Sequence, residues 1–245
     1  MQKRVAWVTG GTGGIGAEIC RSLAKAGYQV VAGYSNEEKA KAWQEEQKAA
    51  GFDIAISYAD VGDFDSVQKS HAEITQQFGV VSVLVNNAGI TRDATMKRME
   101  ASQWRDVIST NLDSVFNTSK ACFDAMLTQG YGRIINISSI NAEKGQFGQA
   151  NYSAAKAGIH GFTKAVAQEG ARKGVTVNTI SPGYVATDMI MKIEEKIREG
   201  IRAQIPVGRF GEPEDIARIV VFLADEASSF ITGANISANG GQFMH

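Results

Sequence analysis

The sequence has little of what marks several protein classes. Its 245 residues include only two cysteines, Cys20 and Cys122, and only three prolines. Neither cysteine has a CxxC partner or lies near a histidine cluster. This excludes a disulfide framework and predicts two small, buried side chains in a reducing compartment. The formal net charge is only -1, which argues against nucleic acid or an anionic membrane surface as a partner.

Long apolar runs are missing as well. No stretch reaches the ~20 apolar residues that a membrane span needs, and the opening MQKRVAWVTGG runs into a strand pattern rather than a signal peptide. We therefore expect a cytoplasmic protein. The three histidines, His71, His160 and His245, have no ligand-like spacing, so they are interpreted as structural and no metal site is predicted.

Short apolar runs instead alternate with longer amphipathic ones along the whole chain. The strand-like runs are RVAWVTG, YQVVAGY, FDIAISYAD, VSVLVNNAG, GRIINISS, GVTVNTISPG and GANISANGG. Helical patterns separate them, with long ones over 101–129 and 151–172. Such alternation predicts an α/β fold: one doubly wound Rossmann-type domain over residues 1–245, with a parallel seven-stranded sheet and helices on both faces. Ligands bind these sheets at the carboxyl ends of the strands.

A glycine-rich segment, VTGGTGGIG at 8–16, follows the first strand and opens the first helix. Gly10 permits the tight turn, Gly14 lets the backbone approach a phosphate, and Gly16 allows the helix to pack closely on the strand. The helix N-terminus adds free N–H groups for a pyrophosphate. The glycines alone would also suit a plain βα turn, but their place after an N-terminal strand favours nucleotide binding. The predicted nucleotide turn also includes Thr12, Gly13 and Ile15.

Tyr152 and Lys156 are four residues apart in a predicted helix and so share one face. An ammonium beside the phenol is expected to lower the tyrosine pKa and bring it closer to the working pH of a general acid. Ser139 ends a strand thirteen positions upstream of Tyr152, where its hydroxyl could orient a carbonyl oxygen. A half-exposed helix pair without chemistry is the alternative for Tyr152 and Lys156, and the added Ser139 favours catalysis.

These segments together resemble the short-chain dehydrogenase/reductase family. Its TGxxxGxG motif is matched at 9–16, NNAG stands at 86–89, YSAAK at 152–156 reads as YxxxK, and SPG stands at 181–183. The motifs keep the family's order over nearly the whole chain. The resemblance implies hydride transfer between a nicotinamide cofactor and a ketone. It assigns roles to four catalytic residues, namely Tyr152 as the acid, Ser139 as the group that orients the carbonyl, Lys156 as its activator and a ribose ligand, and Asn111 as support for a proton-supplying water chain.

The resemblance also implies contacts with the cofactor. Asp60, with Val61 beside it, would touch the adenine ring, and Thr187 would hold the nicotinamide amide. The alternatives are a loop acid for Asp60 and a helix N-cap for Thr187. Further cofactor contacts are implied at strand ends, at Asn87, Ala88, Gly89, Ile90, Pro182, Gly183 and Val185.

The end of the second strand bears on which nicotinamide cofactor is used. NAD-preferring enzymes usually have Asp or Glu there to bind the ribose 2′-OH, but positions 33–35 read GYS. A 2′-phosphate would meet no carboxylate, so NADPH is predicted. Many NADP-using relatives have Arg or Lys in the glycine turn, where this chain has Thr12 and Gly13. The candidate partners of the 2′-phosphate are Tyr34, Ser35, Asn36 and Lys39, of which Lys39 is equally well interpreted as an exposed helix residue.

NAGITRD at 87–93 and KGQFGQANY at 144–152 are similar to the acetoacetyl-CoA reductases within this family. The implied reaction yields (R)-3-hydroxybutyryl-CoA from acetoacetyl-CoA. Reductases of 3-oxoacyl-acyl-carrier-protein share NNAGITRD, so that activity remains the alternative hypothesis. A non-catalytic protein that senses nucleotides is a third hypothesis. The implied substrate contacts are Asp93, Ser139, Gln146, Phe147, Gln149, Tyr152, Tyr184, Met189 and Ile190, although the glutamines would equally suit a water-facing loop.

Residues 186–210 show apolar residues at helical spacing between the last catalytic strand and the final helix. This pattern is typical of an ordinary packed helix, and the family resemblance implies a substrate lid that excludes water when it closes. The resemblance also implies a homotetramer, assembled through the two long helices and the last strand.

Overall fold

Seven short strands form one sheet in the computed structural model, which describes residues 3–244 except for the side chains of Asp188 and Met189. The strands are β1 Val5–Val8, β2 Gln29–Tyr34, β3 Ala55–Tyr58, β4 Val81–Asn86, β5 Gly132–Ile137, β6 Val175–Pro182 and β7 Asn235–Ala238. Their order is β3-β2-β1-β4-β5-β6-β7, and each neighbouring pair is parallel. The predicted α/β class with a seven-stranded parallel sheet is confirmed.

Helices cover both faces of this sheet. They are α1 Gly14–Lys25, α2 Glu37–Ala49, α3 Phe64–Phe78, α4 Ala101–Ile108, α5 Ser114–Gln129, α6 Asn141–Lys144, α7 Ala150–Gly170, α8 Asp188–Met191, α9 Glu195–Arg202 and α10 Pro213–Ala224. The long helical pattern predicted at 101–129 is α4 and α5, joined by a π-helical turn at Ser109–Asp113. Among the described residues, no helix is both long and apolar enough to cross a membrane.

Alternation of side chains along β1 divides the core into two layers. Ala6 and Val8 pack into one apolar cluster with residues of α1 and α10. Trp7 points to the opposite face and joins a cluster formed with α3, α5 and α7. Cys20 lies in the first cluster and Cys122 in the second, both fully buried, as the sequence predicts.

A chain of buried polar side chains crosses the sheet just below its carboxyl ends. The Asn86 amide donates to Asn136 Oδ1 at 2.9 Å, and the Asn136 amide donates to Thr163 Oγ1 at 2.8 Å. The hydroxyl of Thr118 on α5 donates to Asn86 Oδ1 at 2.6 Å, and the Thr163 hydroxyl on α7 pairs with that of Thr179 on β6 at 2.8 Å. These bonds tie β4, β5 and β6 to the two long helices, and so position the residues that follow these strands.

The strand order reverses direction at β1, which lies between β2 and β4. Loops leaving the strands on either side of such a point diverge and leave a crevice at the carboxyl edge. The candidate site lies along this edge.

Candidate active site

Two adjoining cavities lie along the carboxyl edge of the sheet. The central cavity, of about 270 Å³, is lined by these predicted residues: Ile15, Asn87, Ser139, Gln149, Tyr152, Lys156, Pro182, Gly183, Tyr184, Val185, Thr187 and Ile190. The side cavity, of about 450 Å³, is lined by the predicted Gly10, Tyr34, Ser35, Asp60, Val61 and Ala88. Gly89 and Ile90 line both cavities, which are therefore neighbouring parts of one groove.

The glycine turn is shaped to receive a group at its backbone. Gly10 and Gly14 have φ of 60° and 51°, in the left-handed region that favours glycine. A Cβ on Gly16 would lie only 2.2 Å from the Gly10 carbonyl oxygen. In the part of the chain that the structure describes, no side chain caps the start of α1, and the first turn of this helix holds no acidic residue. The free N–H groups and partial positive charge of this helix end therefore fit a pyrophosphate.

Asn87 and Thr9 hold the glycine turn against the end of β4. Thr9 Oγ1 accepts hydrogen bonds from the N–H groups of Asn87 and Ala88 at 3.0 and 3.1 Å. The Asn87 side-chain amide donates to the carbonyl oxygens of Thr9 and Gly10 at 3.0 and 3.1 Å. The sequence prediction did not include Thr9 as a site residue. A hydroxyl directly before Gly10 was the signal that could have indicated it.

Tyr152 and Ser139 meet at the floor of the central cavity. Tyr152 lies in the first turn of α7, and Ser139 lies two residues after the end of β5. Both side chains line this cavity, and the Ser139 hydroxyl is near enough to the phenol to oppose the rise in the Tyr152 pKa. Ser139 Oγ also accepts the backbone N–H of Asn141 at 3.1 Å, which leaves its own proton available for an oxygen in the cavity.

Lys156 lies beneath this pair and is only 4% exposed. Its Nζ donates to the Ile137 carbonyl oxygen at 2.8 Å and lies 5.8 Å from the centre of the Tyr152 ring. Burial lowers the pKa of Lys156 to about 8, because a desolvated ammonium is disfavoured. The ammonium thus hydrogen-bonds to the end of β5 rather than to the phenol.

The expected lowering of the Tyr152 pKa is not found in this structure. Burial raises the pKa of Tyr152; the hydrogen bond with Ser139 opposes that rise, and the charge of Asp93 adds to it. Desolvation of the phenolate has the largest effect on this pKa, and the Lys156 ammonium donates its hydrogen bond to a backbone carbonyl instead of the phenol. The phenol therefore stays protonated, which is the form that a proton donor needs.

Asn111 lies in the π-helical turn and is fully buried. Its amide donates to the Ile90 carbonyl oxygen at 2.9 Å, and its Oδ1 accepts the Ile90 N–H at 2.8 Å. A Cβ built on Gly89 would lie 3.5 Å from Asn111 Oδ1 and 3.6 Å from Lys156 Nζ. Asn111 and Lys156 thus approach the same glycine, and Asn111 holds the loop after β4 in place. Its part in proton supply stays a prediction.

A second polar chain borders the central cavity on the side away from the glycine turn. The Asn141 amide donates to Gln149 Oε1 at 2.9 Å, and the Gln149 amide donates to Asp93 Oδ2 at 2.8 Å. Burial raises the pKa of Tyr184, and the charge of Asp93 raises it further, so the Tyr184 phenol lies near the same carboxylate. Asn141 was not predicted. Its only signal was an amide two residues after Ser139.

Some predicted substrate residues lie away from both cavities. Phe147 is 87% exposed and lies between Gly145 and Gly148, which have φ of 72° and 79°. Gln146 accepts a hydrogen bond from Lys144 Nζ at 3.3 Å and lines neither cavity. The side chain of Met189 lies outside the described residues.

The predicted partners of a 2′-phosphate divide into two pairs. Tyr34 and Ser35 line the side cavity. Asn36 instead caps α2, where its Oδ1 accepts the Lys39 N–H at 3.0 Å, and the Lys39 side chain is exposed. No residue that lines the side cavity in the described chain is Lys or Arg, and the first turn of α2 holds Glu37 and Glu38.

The remaining predicted residues of the side cavity lie in a compact loop. Asp60 Oδ1 accepts the Gly62 N–H at 3.0 Å, and the Asn117 amide donates to the Val61 carbonyl oxygen at 3.0 Å. Tyr58 forms the wall opposite Tyr34, and the two rings meet edge to face with centres 5.9 Å apart. Tyr58 was not predicted, since its place on an edge strand gave no sign that it faces the groove.

Comparisons with known proteins agree with this arrangement. The profile of the short chain dehydrogenase family matches residues 4–198. An acetoacetyl-CoA reductase of Allochromatium vinosum is 55% identical over 99% of both chains, and one of Cupriavidus necator is 54% identical over 100% of both. The 3-oxoacyl-[acyl-carrier-protein] reductase FabG of Staphylococcus aureus is 46% identical over 98% of both. The crystal structure of gox2181 superposes with a TM-score of 0.94 at 33% identity, over 99% of this chain and 96% of that one. The chain belongs to the short-chain dehydrogenase family.

Proposed function

We propose that this oxidoreductase reduces acetoacetyl-CoA to (R)-3-hydroxybutyryl-CoA with NADPH. The observation that most supports the reaction type is that Tyr152, Ser139 and the buried Lys156 line one cavity at the carboxyl edge of the sheet. The choice of substrate rests on relatives named acetoacetyl-CoA reductase that are 55% and 54% identical over essentially their whole length.

In the proposed reaction, the substrate's C3 carbonyl oxygen lies between the Tyr152 and Ser139 hydroxyls. When bound, the reduced nicotinamide supplies the hydride to C3. Ser139 donates a hydrogen bond that stabilises the charge developing on the oxygen. Tyr152, held protonated by burial, gives its proton to the same oxygen. Proton transfer of this kind contributes roughly 10²–10⁴-fold to a rate.

Lys156 and Asn111 support the acid. The Lys156 ammonium stabilises the phenolate left after proton transfer and is a candidate ligand of the nicotinamide ribose. Asn111 holds the Ile90 backbone and so orders the loop between Lys156 and the groove. The predicted role of Asn111 is to support the water chain that returns a proton to Tyr152.

The nicotinamide cofactor fits the groove that the fold provides. The glycine turn and the uncapped start of α1 fit its pyrophosphate. Preference for NADPH is supported by positions 33–35, which carry no carboxylate, so the 2′-phosphate meets no repulsion there. Tyr34 and Ser35 are its proposed hydrogen-bond partners.

The thioester side of the substrate is assigned to the Asn141–Gln149–Asp93 chain and to Tyr184. Lys97 and Arg98 are exposed in the segment that follows Asp93 and suit the phosphates of coenzyme A, whereas Arg92 pairs with Asp106 at 3.8 Å. The same cations would also suit an acidic carrier protein. The 46% identity to the Staphylococcus reductase keeps the carrier-protein thioester as a second candidate substrate.

The proposed enzyme is cytoplasmic and forms a single domain. It also has a lid over the substrate and assembles into an oligomer. No residue of α9 is buried, and Ile197 is 53% exposed, which supports a lid over 186–210 that closes on the acyl chain. Phe116 on α5 is 52% exposed and Phe230, just before β7, is fully exposed. These rings support a homotetramer assembled through the long helices and the last strand, which light scattering of the purified protein tests.

Initial rates of NADPH and NADH oxidation with acetoacetyl-CoA test the central proposal. We expect fast turnover with NADPH, slow turnover with NADH, slower turnover of acetoacetyl-acyl-carrier-protein, and (R) product by chiral chromatography. Faster turnover of the carrier-protein thioester would reassign the substrate. No turnover of either thioester would overturn the proposal.

A further inference from the structure

Trp7 places an unpaired hydrogen-bond donor in the middle of β1. Its side chain is fully buried and packs in the apolar cluster with residues of α3 and α5. Within the described chain, its indole Nε1 has no hydrogen-bond partner. A buried donor left without an acceptor costs roughly 1–3 kcal/mol, so a ligand that supplies an acceptor gains that energy on binding.

Trp7 lines the side cavity together with Gly33, Tyr34 and Ser35. The Nε1 atom lies 3.3 Å from the place where a Cβ on Gly33 would be. Because residue 33 is glycine, no side chain covers the N–H on that side. The Trp7 indole N–H therefore lies next to Gly33, at the end of the second strand, without a side chain over it.

We propose that the Trp7 indole N–H binds an oxygen at the 2′ position of the cofactor's adenosine ribose. The ribose of a dinucleotide lies at the end of the second strand in this kind of fold, which is where Gly33 lies. The side cavity has no Lys or Arg among its described lining residues. The neutral Trp7 indole N–H would therefore provide a hydrogen bond where other enzymes use a cationic side chain. This assignment rests on the proposed use of a nicotinamide dinucleotide and makes Trp7 a specificity-determining residue.

The first test observes the donor itself, by nuclear magnetic resonance of the wild-type protein. The chain has three tryptophans, so protein labelled with ¹⁵N at the indole gives three N–H signals, and Trp7→Phe identifies the one from Trp7. Adenosine 2′,5′-bisphosphate, which lacks the nicotinamide, is then titrated into the wild-type protein. We expect the Trp7 proton to move downfield as it gains an acceptor, while the signals of Trp43 and Trp104, which do not line the side cavity, serve as internal controls.

The second test measures affinity by calorimetry. Trp7→Phe keeps an aromatic ring and removes the N–H, and we expect it to weaken binding of adenosine 2′,5′-bisphosphate by about tenfold, the loss expected for one hydrogen bond to a charged acceptor. The matched control is Trp43→Phe, which alters a tryptophan of the other apolar cluster and should leave the affinity within about twofold. Binding of adenosine 5′-monophosphate, which has a 2′-hydroxyl, should weaken by less.

The outcomes separate this inference from the proposed function. Wild-type protein that binds adenosine 5′-monophosphate better than the bisphosphate would refute NADPH preference, and the Trp7 comparison would then use the monophosphate. An unmoved Trp7 signal at saturation would overturn the inference, even if the enzyme reduces acetoacetyl-CoA with NADPH. An equal loss in Trp7→Phe for 2′-deoxyadenosine 5′-monophosphate, which has no oxygen at the 2′ position, would also overturn it, because the ring rather than its N–H would then be what matters.

Discussion

Lys156 Nζ lies 5.8 Å from the centre of the Tyr152 ring and donates to the Ile137 carbonyl oxygen at 2.8 Å. The two side chains share a helix face, yet the ammonium is anchored to the end of β5. Lys156 thereby fixes the first turns of α7 against the sheet. No carboxylate of the described residues forms a salt bridge with this buried ammonium, and this has consequences for both stability and catalysis.

The folded protein should become more stable, relative to a Lys156→Met variant, as the pH rises from 8 to 10.5. Burial lowers the folded-state pKa of Lys156 from 10.5 to about 8, while the unfolded chain keeps the ordinary value. Between these two values the unfolded state binds more protons, so raising the pH favours folding. At 1.36 kcal/mol per pKa unit, the gain is at most about 3 kcal/mol. Urea unfolding at pH 8 and pH 10.5 measures the free energy of unfolding of both proteins. The same change with pH in the wild type and in Lys156→Met would contradict the prediction.

Tyr152→Phe should lower kcat for acetoacetyl-CoA reduction by roughly 10²–10⁴-fold, because the variant keeps the ring and loses the proton donor. NADPH affinity and the melting temperature should stay close to those of the wild type. Steady-state rates, calorimetry and thermal unfolding check the three quantities. Turnover within about tenfold of wild type would mean that another group is the acid.

Gly16→Ala should abolish nucleotide binding. The added Cβ would lie 2.2 Å from the Gly10 carbonyl oxygen and 2.6 Å from the Asn87 amide nitrogen, so the glycine turn must move. Calorimetric titration with NADPH measures the loss. Gly161→Ala is the matched control, because a Cβ there meets nothing within 4 Å and the change adds up to about 1 kcal/mol of helix stability. Wild-type affinity in Gly16→Ala would show that this turn does not hold the pyrophosphate.

Asn136→Ala should lower the free energy of unfolding by about 2–4 kcal/mol. The fully buried Asn136 bridges the Asn86 amide and the Thr163 hydroxyl, and each buried group left unpaired costs roughly 1–3 kcal/mol. Gln168→Ala, on the exposed side of α7, should change stability by less than about 0.5 kcal/mol. Chemical denaturation compares the two, and equal values would remove the structural role assigned to this polar chain.

Gln149→Ala should raise KM for acetoacetyl-CoA by about tenfold, with a smaller effect on kcat. Its side chain lines the central cavity and joins Asn141 to Asp93. The change removes both hydrogen bonds, each worth roughly 0.5–1.5 kcal/mol, from the chain that we propose positions the thioester. Gln146→Ala, in the same loop but outside the cavity, should alter KM by less. A larger effect on KM at position 146 than at 149 would contradict this ranking and favour Gln146 as the substrate contact.

The fold could be predicted from the sequence because strands and helices depend on interactions between residues that are close together in the chain. Buried parallel strands are short apolar runs, and the helices between them keep one apolar face, so alternation alone predicts the seven-stranded α/β sheet. The same holds for the glycine turn, since steric exclusion at Gly16 and positive φ at Gly10 and Gly14 demand glycine whatever the rest of the chain does.

Other features depend on groups that are distant in the chain, and only the tertiary structure decided them. The pKa of Tyr152 was wrongly expected to fall, because burial of the phenol and the bond from Lys156 to Ile137 cannot be read from a four-residue spacing. The exposure of Phe147 likewise depends on how its loop is placed, and its predicted contact with substrate stays a prediction. The Trp7 N–H became a candidate ligand only when β2 placed Gly33 beside it. Local propensity and periodicity therefore determined the elements and their order, whereas desolvation and contacts between separate strands determined the chemistry of the groove.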